Sequence, residues 1–148
     1  AKEGNVISYI HPGSKLGVLL ELNCETDFVS NTEDFNDLGN DIAMHIAATN
    51  PLGVTREDIP EDVISKEKEI YSEQAKSSNK PENIIEKMVE GRVNKYYKEN
   101  VLLEQDFVKD SNQTIEDLVT TTISKLGENI VVSNCDIITN IDYYELVK

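Results

Sequence analysis

The chain contains no tryptophan, two cysteines, two histidines and only 14 basic residues among 148. Each scarcity excludes something. Cys24 and Cys135 stand alone, outside any CxxC spacing, so they form neither a disulfide framework nor a zinc site and point to a reducing compartment. Combining them with His11 and His45 gives no recognisable metal-ligand spacing, so no metal is expected. Acidic residues outnumber basic ones 28 to 14, a net charge of −14, whereas a phosphate-binding surface must be basic; direct nucleic-acid contact is not expected. No apolar run approaches the roughly 20 residues that a membrane span needs, and no signal-peptide pattern is present. The seven glycines are scattered rather than gathered in a phosphate loop, so no nucleotide cofactor is expected. There is no nucleophile-elbow motif, and among 28 acidic residues carboxylate pairs arise by chance, so nothing argues for an enzyme.

What remains is an ordinary globular composition, 39% apolar and 28% charged, long enough for one domain that buries roughly 68–70% of its unfolded surface. The chain begins at Ala1 without methionine, and residues upstream are an expectation. Residues 5–11 are rich in β-branched and aromatic side chains, Pro12-Gly13-Ser14-Lys15 is a turn cluster, and an apolar run follows; the three make a β-hairpin. At period two, Leu16, Val18, Leu20, Leu22 and Cys24 share one face, assigned to the core.

A helix follows, with Phe35, Leu38, Ile42 and Ile46 at helical spacing and a stop at Asn50-Pro51. Two starts compete. Ser30 with Glu33 has the capping-box pattern, and Thr26 could instead cap an extra turn carrying Asp27 and Phe28. After a Pro- and Gly-punctuated connection come two charge-rich helical stretches, about 61–76 and 82–98, with narrow apolar stripes (Val63, Ile70; Ile85, Met88, Val89, Tyr96). Joined by a short polar turn, with Pro81 in a first helical position, they read as a projecting antiparallel helical hairpin. A last helix near 114–126 ends at Gly127, and residues 129–133 form a third strand. The expected fold is α+β: a small three-stranded antiparallel sheet packed with helices, plus the hairpin.

The most informative segment is the strand-to-helix junction, Leu22 to Asn31, where the carboxylate of Asp27 stands beside the large aromatic Phe28. Element ends are where exposed groups meet partners. Taken singly, these residues have bland readings: Phe28 as core, His45 in Ala43-Met44-His45-Ile46 as a core or boundary histidine, Gly17 as a strand bulge or close backbone approach.

Together they read differently. Asn23 to Val29, centred on Thr26-Asp27-Phe28-Val29, resembles the signature of the elongation factor Ts family, the guanine-nucleotide exchange factors of elongation factor Tu. Ala43 to Ala48 ending in Asn50-Pro51 is similar to a second family motif. Lys80-Pro81 with Glu86 to Arg92 resembles a third, Leu102-Leu103-Glu104-Gln105 with Phe107-Val108 a fourth, and Gly127-Glu128-Asn129-Ile130 a fifth. The motifs run in family order over nearly the whole chain; residues 134–148 match poorly.

The resemblance implies one core (dimerisation) domain over 1–148, of the short single-copy type, without the family's amino-terminal helical domain, and expected to pair as a homodimer. It implies that Asp27 and Phe28, framed by Thr26 and Val29, wedge into the partner GTPase near its magnesium and phosphate loop. It implies too that a pocket at Leu16, Gly17 and His45 receives a partner side chain, and that the protein works in the bacterial cytoplasm or an organelle matrix. The competing functions are a passive dimerising scaffold without exchange activity and a hydrolase with a cryptic carboxylate dyad.

Overall fold

A computed structural model describes residues 1–140 and Tyr144. The chain forms two compact units, one built from Ala1–Asn50 with the chain from Asp106 onward, the other from Pro51–Gln105. The fold is α+β, as the sequence pattern predicts.

In the first unit, β1 (Glu3–Ile10) and β2 (Leu16–Cys24) form the antiparallel hairpin, with Gly13 and Ser14 turning through positive φ. Strand β2 is central, with β5 (Val131–Thr139) antiparallel on its other side. The period-two pattern is read out directly: Leu16, Val18, Leu20, Leu22 and Cys24 are all buried. They face α2 (Glu33–Thr49), which contributes Phe35, Leu38, Ile42 and Ile46 to the same core. Gly39 lets that helix lie close to the sheet, because a Cβ there would collide with the Ile7 side chain. Asn50 ends α2 in the left-handed region, a conformation asparagine tolerates. Helix α5 (Ile115–Leu126) starts from a reciprocal capping box between Thr114 and Asp117 and also packs on α2.

Several local expectations need correction. The third strand begins at Val131 rather than 129 and runs on to Thr139, through residues whose polar Asn134 and Asp136 hid a strand. Pairing with the central β2 along nearly its whole length supplies the backbone bonds that local pattern did not reveal. The first strand likewise spans Glu3–Ile10 rather than 5–11. Ser30 is not the cap of α2; that role falls to Thr32, whose Oγ1 accepts the Phe35 N–H at 3.2 Å. Ser30 instead closes a separate one-turn helix, α1 (Asp27–Ser30), with Thr26 at its N-cap. A two-stranded sheet, β3 (Asp106–Phe107) with β4 (Asp110–Thr114), was not anticipated, since its strands are too short and polar to show a pattern.

The second unit is built on α3 (Glu61–Lys76) and α4 (Glu82–Asn100), antiparallel partners across a Ser-Ser-Asn-Lys turn. Pro60 and Pro81 stand at the N-caps, one residue before the expected first helical position, where a missing N–H still costs nothing. The unit's buried core is small: Ile59, Ile64, Val93 and Val101, flanked by Val63, Val89 and three tyrosines. Ile70, expected in the stripe, is exposed, because Ile64 and Tyr71 occupy the packed side of α3. The 51–60 connection contains a 3-10 turn, Arg56–Asp58, in which the Asp58 carboxylate accepts the N–H groups of Val54 and Thr55 at 3.0 Å each. Arg56 extends from it to Glu104 in a two-point ion pair (2.8 and 2.7 Å) and lies 4.4 Å from the Tyr97 ring centroid.

Candidate functional site

The junction after β2 is a short turn whose backbone is held on every side. At its start, Glu128 spans more than a hundred residues of sequence. One carboxylate oxygen accepts the N–H groups of Glu25 (3.2 Å) and Thr26 (3.0 Å), and the other accepts the Thr26 hydroxyl (2.5 Å). Cys24 lies beneath and donates its thiol to the Thr26 carbonyl at 3.2 Å. Burial pushes that thiol up most, the Thr26 backbone offsets part of this, and the Glu128 and Glu3 carboxylates push it further up; it therefore stays a neutral donor rather than a nucleophile.

The far end of α1 is equally constrained. The Ser30 carbonyl accepts from Asn5 (2.7 Å) and Asn36 (2.9 Å), and the Val29 carbonyl accepts the Thr32 hydroxyl at 2.7 Å. Val29 and Ser30 are buried. The remaining two residues of the turn point outward: Asp27 is exposed, and Phe28 is 83% exposed. An aromatic ring left in water on a turn this well anchored is not filling the core of this chain. The bland reading of Phe28 is thereby overturned.

The other predicted site residues lie elsewhere. Leu16 and His45 are buried, at 2% and 0% exposure. His45 Nδ1 accepts the Val108 N–H at 3.2 Å, and its ring lies 6.0 Å from that of Phe107. Gly17 follows Leu16 on β2 and so faces the opposite side of the sheet, paired with Ile10 and Ile138. A Cβ on Gly17 would approach the flexible end of Ile10, at Cδ1, to 3.1 Å, a tight contact rather than a bulge; the strand's register shift lies instead between Glu21 and Leu22. Thr26 and Val29 thus frame Asp27 and Phe28 as expected in position, whereas Leu16, Gly17 and His45 do not share one open surface.

Sequence reasoning missed Glu128 as part of the site. The signal was available, because Gly127-Glu128-Asn129-Ile130 stood out as a motif, but nothing local connects residue 128 with residue 26. Among the described residues, no group of three or more His, Cys, Asp or Glu side chains converges to hold a metal ion, and no helix is long and apolar enough to cross a membrane.

Comparison with known proteins now decides the family. The model of the family described as Elongation factor TS matches residues 1–128. The chain belongs to the elongation factor Ts family. It is 61% identical over 132 residues to Elongation factor Ts of Fervidobacterium nodosum, covering 89% of this chain and 67% of that protein. Elongation factor Ts of Thermosipho melanesiensis is 57% identical over 131 residues (88% and 67%), and that of Moorella thermoacetica 55% over 132 residues (89% and 65%). The chain thus spans about two thirds of the length of the curated relatives it matches. Membership places it among translation elongation factors, and the exposed Asp27-Phe28 turn is the feature of this family member that most resembles a docking element.

Proposed function

We propose that this chain binds the GTPase elongation factor Tu and promotes GDP release, with Phe28 as the anchor and Asp27 acting near the partner's magnesium and phosphate site. The single observation that carries the reading is Phe28, 83% exposed on a turn fixed by hydrogen bonds at both ends. Rigid aromatic side chains make strong interface anchors because little conformational entropy is lost when they dock. No chemical step is needed, so the protein acts as an exchange factor rather than an enzyme. It works by linkage, binding the nucleotide-free GTPase more tightly than the nucleotide-bound form. Weakening nucleotide 1,000-fold takes about 4 kcal/mol of such coupling.

Of the proposed second contact, His45 is what this reading keeps, buried and supporting the Phe107-Val108 backbone from below, while Leu16 and Gly17 point to opposite faces of the sheet. A partner side chain would reach His45 where that segment yields. The test of the whole reading is release of a fluorescent GDP from elongation factor Tu with and without this chain. Acceleration at micromolar concentration is expected, and none from well-folded protein would favour the scaffold.

One observation gives the scaffold reading its weight and also supports a homodimer within the exchange reading. The sheet face away from α2 carries Val6, Ile10, Leu19 and Ile138, all exposed, around a hollow lined by Glu21, Asn134 and Asp136. Among the described residues, three strands leave two open edges and one uncovered apolar face. A second copy supplying the same face would cover both by two-fold symmetry. Cys135, half-buried, lies between Asn134 and Asp136 beside the same hollow. Light scattering over a hundredfold dilution tests the dimer; a monomer mass at tens of micromolar would remove it. The core domain of residues 1–148 is proposed as the exchange-competent piece, acting in the bacterial cytoplasm or an organelle matrix.

A further inference from the structure

We infer that Glu128 is a positioning residue for the docking turn, setting the direction in which Asp27 and Phe28 project. The assignment rests on the exchange reading above and goes beyond it, since Glu128 touches no part of the proposed wedge itself. The chain of causes begins with Gly127. Helix α5 must stop and reverse there, and Gly127 does so at φ 76 with its N–H on the Ile123 carbonyl at 2.8 Å. That left-handed step is open to glycine at no steric cost. It delivers the next residue, Glu128, to the start of α1, where three donors converge on its carboxylate: two backbone N–H groups and one hydroxyl.

Of these, the Thr26 N–H is one that a one-turn helix cannot satisfy internally; the other two fix the residues that lead into it. A helix of only four residues has almost no cooperative stability, and Thr26 provides no side-chain cap. Its orientation is therefore set from outside. Asn5 and Asn36 both hold the Ser30 carbonyl, but they act beyond Phe28. Glu128 alone among the described residues ties Glu25 and Thr26, immediately before Asp27, to a distant part of the fold by hydrogen bonds; the Cys24 thiol bond to Thr26 is local. Loss of the Glu128 carboxylate leaves Phe28 present but allows the turn to pivot, and a docking group that must be ordered on binding loses affinity.

The experiment compares Glu128→Ala, Glu128→Gln and Phe28→Ala, alone and as the Glu128→Ala/Phe28→Ala double variant, in fluorescent-GDP release from elongation factor Tu over a range of factor concentrations. A charge-assisted contact with three donors should be worth about tenfold in the second-order exchange rate when removed by Glu128→Ala. Glu128→Gln keeps an oxygen for the two N–H groups and an amide that can donate to Thr26 Oγ1, so it should recover most of the rate. Because Glu128 acts through Phe28, the double variant should be little worse than Phe28→Ala. Hydrogen exchange of the Glu25 and Thr26 amides should speed up in Glu128→Ala and stay slow in Glu128→Gln. A merely structural role would give losses that add in the double variant and follow thermal stability. Exchange unaffected by Phe28→Ala defeats the anchor reading, and the positioning role with it. Exchange slowed by Phe28→Ala but unchanged in folded Glu128→Ala, or additive losses, defeats the positioning role alone.

Discussion

Helix α2 in the first unit and α4 in the second are of similar length but are stabilised differently. Eight of the 17 residues of α2 are buried, against one of the 19 in α4. The stability of α2 comes from a wide apolar face against the sheet. That of α4 comes from a narrow stripe, helix-forming sequence and contacts such as Arg92 over Tyr71 (5.5 Å) and Arg56 over Tyr97. Burial raises the phenols of Tyr71 and Tyr96, so these rings serve as core in a unit short of aliphatic side chains. The lesson is that the exposed Asp27-Phe28 turn is built on the better-packed unit, where rigidity is available, while the helical pair has few buried contacts and should open first.

The largest test of that comparison is Phe35→Ala. With Phe35 fully buried between α2 and the sheet, the first unit should lose about 3–5 kcal/mol by denaturant unfolding. Loss below about 1 kcal/mol would show that the sheet–helix core is not what stabilises this unit.

Phe28→Ala should do the opposite: weaken affinity for elongation factor Tu by about 2–4 kcal/mol while changing stability by less than about 0.5 kcal/mol. Calorimetric binding and thermal unfolding on one variant separate the two effects. A collapse of stability with normal affinity would return Phe28 to the core.

His45→Ala should fall between these extremes. Removing the acceptor of the Val108 N–H should cost about 1–3 kcal/mol of stability. Its effect on affinity should be smaller than that of Phe28→Ala, at most about 1–2 kcal/mol. An affinity loss without a stability loss would make His45 a direct contact.

Val93→Ala sharpens the other side of the comparison. Deleting two methyl-sized groups from the small core of the second unit should cost roughly 1–2 kcal/mol. Hydrogen exchange should accelerate within 51–105 and leave the amides of α2 unchanged; equal acceleration in both units would mean that they unfold as one.

The smallest effect is electrostatic. The hydrogen bond from Arg56, with its charge in support, holds Glu104 below the usual carboxylate range. A lowered folded value means stability that is present above the unfolded carboxylate pKa and is lost as pH falls through the lowered folded value. Arg56 is shifted upward by the same bond and stays charged across the acidic range, so the loss of the pair follows the protonation of Glu104 alone. Because the pair is partly exposed, at 44% and 28%, the contribution should be under about 1 kcal/mol. Glu104→Gln should flatten that part of the acid-unfolding profile; an unchanged profile would show that the pair is energetically silent.

Much of this was legible in the sequence, for identifiable reasons. Alternation in β2, 3.6-residue spacing in α2, and Gly127 and Pro81 near helix ends are local signals, and the structure keeps all of them. The family signature centres on Asp27 and Phe28, which the fold leaves exposed. Other features were written in contacts between residues far apart in the chain. Strand β5 through Asn134 and Asp136 exists because β2 offers a free edge, and a weak strand sequence accepts it. Thr32 rather than Ser30 caps α2 because Ser30 is drawn into a separate turn by Asn5 and Asn36. Whether Phe28 would be buried or left in water was decided at the same level. Its neighbours Val29 and Ser30 turn inward, while Glu128, from far along the chain, holds Thr26 at the start of the turn and Asn5 and Asn36 hold its end. Periodicity sets which side chains share a face; only the folded chain, by bringing residue 128 to residue 26, sets which way a four-residue turn must point.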